Sequence, residues 1–405
     1  MGWNVFSRNL IILVLCEGLA FSLMAAVLTI CAAAGYNMAP NKHLVLLPLT
    51  TEVIGSCLST IPAAFLMRRL GRRPAFVTGS LVAAAGGAAC CYAVYTGSFW
   101  LLVVSTPFLG ALSGFGEYTR YAAAELFSSP DQKRQAVSFV VSSGILAAFL
   151  GPAISRWTNP LLPIPFLAPF GVCVLLCLAS AALYLFLQSA AAQSRKGDTA
   201  PSEPLRKVLL LPAFVTGTVA AVVSFLAMAV VMDATPMTMF DCGFDYSDTT
   251  QVIQWHFLAM FAPSVLTPRV IRLIGSANTI ILGIVFSGIG LCAGFAGVAF
   301  ANFLVVMIMI GIGWNLMFIA GTSLLATMEA GLRRTAEGAS NFLVSSSFAV
   351  ATPIASVLAV TYGWEAVCSF AAVMLGIAFL AILALQKKMA SGGIQSGQSA
   401  AKEFP

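Results

Sequence analysis

Charge is what this sequence has least of. Only 9% of its 405 residues are Asp, Glu, Lys or Arg, against roughly 25% in an ordinary soluble domain, so a water-facing surface cannot be built from it. Histidine is nearly missing as well. His43 and His256 stand far apart, and neither H-E-x-x-H nor G-x-S-x-G occurs, which removes the common metallohydrolase and serine-hydrolase constellations. There is no G-x-x-x-x-G-K-[ST] loop to cradle ATP phosphates and no loop resembling an ion-selectivity filter. Cysteine is present but not patterned: Cys16, Cys31, Cys57, Cys90, Cys91, Cys173, Cys177, Cys292 and Cys368 lie in apolar runs, and Cys242 alone falls in an external loop. Such placement forms neither a disulfide framework nor a zinc spacing, and the thiols read as small packing residues. The reading is of a non-enzyme with no cofactor and no metal.

Apolar residues fill the space that charge leaves, at 59% of the chain. They run in stretches of about twenty, the length of helix that spans ~30 Å of hydrocarbon, and they do not alternate as barrel strands would. The runs lie near 9–34, 44–67, 74–95, 99–123, 136–158 and 161–187, then 209–232, 249–271, 277–297, 300–328, 337–361 and 363–386. The expectation is an all-α membrane protein of twelve transmembrane helices. The first run is too long for a typical signal-peptide core, although Ala32-Ala33-Ala34 could pass for a cleavage site, and it is kept as a helix. Phe6 stands where a myristoylation signal needs Ser or Thr.

Basic residues set the orientation, because short cytoplasmic loops keep an excess of them. With the N-terminus inside, the inner loops hold Arg68, Arg69, Arg72, Arg73, Lys133, Arg134, Arg269, Arg272, Arg333 and Arg334, joined by the linker bases. Arg8, Lys387, Lys388 and Lys402 fall in the tails. The outer loops hold only Lys42 and Arg156, and the loop after the seventh helix carries Asp233, Asp241, Asp245 and Asp248. Both termini are therefore expected in the cytoplasm, with the chain in a bacterial inner membrane. The positive charge of +6 is scattered between apolar runs, so it serves topology and points to no nucleic-acid partner.

The polar stretch 188–208, with Arg195, Lys196, Asp198, Pro201, Glu203 and Pro204, divides residues 1–187 from 209–388 as a cytoplasmic linker, and 389–405 read as a disordered cytoplasmic tail. The two six-helix segments echo one another. Met67-Arg68-Arg69-Leu70-Gly71 corresponds to Ile271-Arg272-Leu273-Ile274-Gly275, and Lys133-Arg134 to Arg333-Arg334. Parallel six-helix halves with weak internal similarity belong to transporters whose solute site lies at the repeat interface near mid-membrane.

The loop Ala64-Phe-Leu-Met-Arg-Arg-Leu-Gly-Arg-Arg73 resembles the signature loop of the major facilitator superfamily, G-x-x-x-D-R-x-G-R-R. Arg69, Gly71, Arg72 and Arg73 match and are the candidate gating loop. Arg68 replaces the family's Asp and Ala64 its first Gly, so the latch ascribed to that carboxylate is not carried over. Three further stretches resemble one bacterial branch of the superfamily, some of whose members are similar to riboflavin uptake proteins. They are Gly114 to Glu125, Asp233-Ala-Thr-Pro-Met237 with Gln254 to Ser264, and Gly311 to Phe318 with Gly321-Thr322. The resemblance implies two pseudo-symmetric six-helix bundles that alternate access to a central solute. Gly151-Pro152 resembles part of the motif of proton-driven exporters, but Ala147 and Ser155 replace its glycines.

A charge at the centre of a membrane helix costs about 2.5–3.5 kcal/mol on insertion scales, so each one there needs a partner, water or a task. Glu17 lies ~6 Å to the inner side of the middle of the first helix, and Glu52 ~5 Å to the outer side in the second. Both are proton-coupling candidates, or neutral acids bonded between helices. Gly110, Ser113, Glu117, Arg120 and Tyr121 recur at helical spacing and share a face. Glu117 and Arg120, three apart, can pair until an anionic solute group competes for the guanidinium, although Arg120 sits ~13 Å from mid-helix and can also snorkel. Glu117 and His256, the latter able to change charge near neutrality, join Glu17 and Glu52 as proton-coupling candidates, unless His256 bridges helices. Gln251, Gln254 and Trp255 beside it, with Tyr121, Trp314 and Asn315, suit a planar polar ring. Trp314 serves equally as packing, and Ser345, Ser346 and Ser347 are further cavity candidates.

The sequence thus reads as a monomeric secondary transporter of a small organic solute, planar or anionic and riboflavin-like among the options, coupled to protons. An exporter of drugs or metabolites, including siderophores, is the second reading. A non-transporting receptor or assembly protein is the third.

Overall fold

The computed structural model describes residues 7–127, 132, 136, 139–188, 204–326 and 328–400, and among these there is no strand. Phe6, Lys133, Arg134, linker residues 189–203 and Lys402 lie outside the described residues, as do the side chains of Arg334, Lys387 and Lys388. Among the described residues eleven helices are long and apolar enough to cross a bilayer, and a bent pair makes twelve when taken as one span. In chain order they are α1 (Arg8–Met38), α2 (Leu47–Leu70), α3 (Arg72–Tyr95), α4 (Phe99–Glu125), α5 (Phe139–Leu161) and α6 (Leu167–Leu185). There follow α7 (Pro212–Asp241), α8 (Tyr246–Val265, bent by 55° into Thr267–Ile274), α9 (Ser276–Phe295), α10 (Phe300–Ala326), α11 (Ala330–Tyr362) and α12 (Trp364–Ala400). A short helix, Leu205–Leu209, takes up the end of the expected linker.

Local chemistry sets the helix ends. The Ser7 hydroxyl accepts from the Leu10 N–H at 3.3 Å and the Asp245 carboxylate from the Asp248 N–H at 2.7 Å, each supplying a donor group left over at a helix start. Gly71 closes α2 with φ 86° and Gly275 closes α8 with φ 83°, conformations that cost any other residue. These are the glycines of the two similar loops noted in the sequence.

Two boundaries correct the sequence reading. α7 does not stop at 232 but continues to Asp241 with Pro236 inside it, so Asp233 is no loop residue; it is buried, 1% exposed. Hydropathy drops there because of Thr235 and Thr238, yet each hydroxyl is satisfied one turn back, by the Val231 carbonyl at 2.7 Å and the Ala234 carbonyl at 2.9 Å, and the helix goes on. α12 is helical to Ala400, past the end of the apolar run at 386.

Packing repeats along the chain. α1 lies on α5 and α6, α2 on α4, and α3 on α4 and α6; six helices later α7 lies on α11 and α12, α8 on α10, and α9 on α10 and α12. Between the first six and the last six, α5 meets α8, α2 meets α11, and α1 touches α7 and α8. With no hydrophobic drive between helices in lipid, close approach has to come from small residues. A Cβ on Gly55 would stand 2.2 Å from the Pro107 carbonyl oxygen, and one on Gly110 2.3 Å from that of Glu52, so α2 and α4 are in backbone contact.

Candidate functional site

In the first six helices, buried polar atoms gather where α1 faces α4. Glu17 is 8% exposed, and its Oε2 has no hydrogen-bond partner among the described residues. Glu117 and Arg120 are its charged neighbours. Glu117 sits where α4 is interrupted, between Ala111–Gly116 and Thr119–Glu125, and accepts from the Arg120 guanidinium. Arg120 also lies over the Tyr121 ring at 5.4 Å, while its Nε and the Ser113 Oγ are buried with no partner among the described residues. The Tyr121 hydroxyl accepts from Asn341 Nδ2 of α11 at 3.1 Å, so this cluster reaches across to the last six helices. Buried polar groups in proteins are nearly always paired, and three such atoms without a partner among the described residues, on the facing helices α1 and α4, mark a place built for something polar.

A chain of aromatic rings starts one turn along from Glu17. Phe21 of α1 is 5.3 Å from Phe261 of α8, which is 6.2 Å from Trp314 of α10. Trp314 stacks on Phe318 at 5.3 Å and 11°, and Phe225 of α7 stands edge-on to both at 5.1 Å. Phe348 of α11 continues the chain at 6.3 Å from Phe225. Trp314 is 6% exposed and its Nε1–H has no acceptor. Flat apolar faces beside an unused donor suit a planar solute with polar edges.

Beyond the rings lies a small cavity of about 20 Å³, lined by Glu52 of α2 and Asp233 of α7 together with Met24, Leu28, Leu49, Val53, Met232, Phe257 and Phe348. The Asp233 carboxylate accepts from the Thr352 hydroxyl at 2.6 Å, and the Glu52 side chain has no hydrogen bond among the described residues. A larger recess of about 360 Å³ between α9 and α12 is lined by apolar residues such as Ile284, Leu291 and Phe379, with Cys292 its one titratable group, so chemistry does not reside there.

Other expected residues stand apart. His256 is fully buried, with Nδ1 2.7 Å from the Met307 carbonyl of α10 and Nε2 unpartnered, and it lines neither cavity. Gln251 and Trp255 are exposed and Gln254 half-buried on α8, in neither the ring chain nor the acid cavity. Asn315 is 1% exposed and fully engaged: its Nδ2 donates to the Met260 carbonyl and to Ser264 Oγ, both at 2.7 Å, and its Oδ1 accepts from Thr267 Oγ1 at 2.6 Å, which ties down the bend of α8. In the signature loop, Arg72 binds Glu125 and the Tyr118 carbonyl within its own half, Arg69 lies 4.4 Å over Phe65, and Arg73 is exposed. Ser345 offers its carbonyl to the Cys57 thiol of α2 at 3.8 Å.

Sequence reasoning passed over Asp233, Thr352 and most of the rings. Phe257 with Phe261, and Trp314 with Phe318, are spaced four apart and would have disclosed aromatic faces on α8 and α10.

The sequence profile of the Major Facilitator Superfamily matches residues 10–276. The Riboflavin transporter RfnT of Brucella anthropi is 31% identical over 363 residues, 89% of this chain and 91% of that protein. Two uncharacterized MFS-type transporters of Bacillus subtilis, YdeG and YddS, are 24% and 25% identical and cover 85% of this chain each, and 84% and 83% of their own lengths.

Proposed function

The chain belongs to the major facilitator superfamily, and on that footing we propose that it is a proton-linked secondary transporter of a planar, riboflavin-like solute. The observation that carries the solute class is the ring chain from Phe21 to Phe348, with the Trp314 donor, unpartnered among the described residues, within it, and with the partly used Arg120 fork neighbouring Glu17, one turn from Phe21. Rings would stack on the flat face of the solute while the donors take its polar edge. The kinship with a riboflavin transporter over nearly the whole of both chains supports the same class.

The helices pack as two pseudo-symmetric six-helix bundles, a reading supported by neighbour relations that recur six helices on. Rocking of one bundle against the other about the rings gives alternating access. Both termini lie on the cytoplasmic side of a bacterial inner membrane, as the basic loops require, and the chain works as a monomer. Glu17 and the acids beside the rings carry the coupling protons.

A thermal-shift screen of the purified protein against riboflavin, organic anions, siderophores and cationic dyes, followed by proteoliposome flux, tests this. Riboflavin should stabilise the protein and enter liposomes faster under an inward proton gradient. A siderophore or dye that stabilises while riboflavin neither binds nor moves would replace the flavin reading with that of an exporter.

A further inference from the structure

Glu52 and Asp233 come from different halves of the molecule and line the same small cavity. Both are at least nine-tenths buried, at 5% and 1% exposure. Thr352 of α11 engages Asp233, whereas Glu52 has no partner among the described residues although it lines the cavity. The space, about 20 Å³, is of the size of a single water-sized occupant, and its remaining walls are aliphatic, thioether or aromatic. No lysine, arginine or histidine lines it.

The titratable groups around the pair can be named helix by helix. Cys31 of α1, Cys90 of α3 and Cys57 of α2 are the thiols near Glu52, and Asp233 of α7 is its one carboxylate neighbour in the cavity. α4 brings Gly110 against the Glu52 backbone, and α11 brings the Thr352 hydroxyl to Asp233. Two carboxylates held together in such surroundings repel with nothing opposite to them, and one small cation between them relieves the repulsion.

We infer that Glu52 and Asp233 form a single cation site shared by the two halves, occupied by a proton, and that its occupation is the condition for the halves to close at this level. Losing the proton leaves one negative charge on each side of the interface and drives α2 from α7. Phe257 and Phe348 stand in the cavity wall, and both belong to the aromatic system, Phe257 stacking on Phe261 at 6.3 Å. A solute that shifts those rings therefore alters the site, and the site's charge alters the rings.

The inference rests on the transporter reading only in treating closure as a transport step, so it is tested without solute. Spin labels at Tyr95→Cys and Val298→Cys, both exposed, report the separation of the halves in a Cys242→Ser/Cys292→Ser background. In nanodiscs without sodium, the long-distance fraction should rise about fivefold or more from acid to alkaline pH. In Glu52→Gln and in Asp233→Asn, each of which fixes one side as neutral, it should stay low and change less than about twofold. A wild-type-like pH response in either variant overturns the shared site. Should sodium at alkaline pH restore short distances, a metal cation rather than a proton is the occupant, and the proton assignment fails. Infrared titration of the unmodified protein guards against misfolded variants: a carboxyl C=O band must change over the same pH range as the distances, and its constancy overturns the inference. Loss of riboflavin flux with this behaviour intact would remove the solute reading alone.

Discussion

The Lys42 ammonium stands 2.8 Å from an oxygen of the Asp241 carboxylate, and the Tyr36 hydroxyl donates to that same oxygen at 3.0 Å. A carboxylate at the end of α7 thus holds two groups presented around the end of α1, on the same side of the molecule as Glu52 and Asp233. Lys42 is 65% exposed, so its contribution is open to salt, since screening acts over about 8–10 Å at ordinary ionic strength. Lys42→Gln should raise the long-distance fraction between labels at Tyr95→Cys and Val298→Cys about twofold at low salt, and the difference from wild type should fade in ~0.5 M salt. The unfolding temperature should hardly move. Identical distance distributions at low salt would deny the pair any part in closure.

Trp314→Phe separates stacking from hydrogen bonding. Because Nε1 has no partner among the described residues, the substitution forfeits no hydrogen bond to them, and a ring remains against Phe225 and Phe318. The expected cost in stability is ~1 kcal/mol, whereas Trp314→Ala empties the position and should cost ~3 kcal/mol or more. Riboflavin affinity should fall about tenfold in Trp314→Phe, the loss of one hydrogen bond worth ~1.4 kcal/mol, and further in Trp314→Ala. Calorimetric titration of both variants measures this; unaltered affinity in Trp314→Ala would take the ring out of the site.

Much of the scaffold was legible because a membrane segment announces itself by length and apolarity, which local contacts cannot override. The site was less so. Glu17 drew notice as a charge inside an apolar run, but Asp233 stood next to Thr235 and Pro236 and passed for the start of a loop. Nothing in the local pattern distinguishes a helix that ends at such a cluster from one whose hydroxyls bond back to its own carbonyls. Asn315 illustrates the opposite case. A buried amide in a Gly-rich helix invited a solute role, and only the bend of α8 discloses that its donors and acceptor are all engaged. Periodicity places a residue on a face; what that face meets is decided by helices far away in the chain.

That last dependence makes glycines a sharp test of the packing. Gly55→Ala would set its new methyl 2.2 Å from the Pro107 carbonyl oxygen and 2.4 Å from the Pro107 Cα, neither of which can turn away. α2 and α4 must then separate, at an expected cost of ~2 kcal/mol or more, seen as a lower thermal midpoint in detergent. Gly288→Ala and Gly376→Ala meet nothing within 4 Å and should leave the midpoint within about 1 °C. Equal effects at all three positions would mean that the close α2–α4 contact is not maintained in the folded protein.

Glu17 offers the cleanest division between coupling and scaffolding. Its Oε2 has no hydrogen-bond partner, so Glu17→Gln, which preserves shape, breaks no bond at that atom and should leave the thermal midpoint within about 2 °C. A residue that exchanges a proton during the cycle must nonetheless do something that an amide cannot. Riboflavin uptake driven by a proton gradient should therefore fall about tenfold or more in Glu17→Gln, while exchange of labelled for unlabelled riboflavin without a gradient continues at near wild-type rate. If both processes fall together, the carboxyl serves the solute, by holding Arg120 or by direct contact. If neither falls, the coupling proton travels elsewhere, and the Glu52–Asp233 pair becomes the nearest remaining carrier.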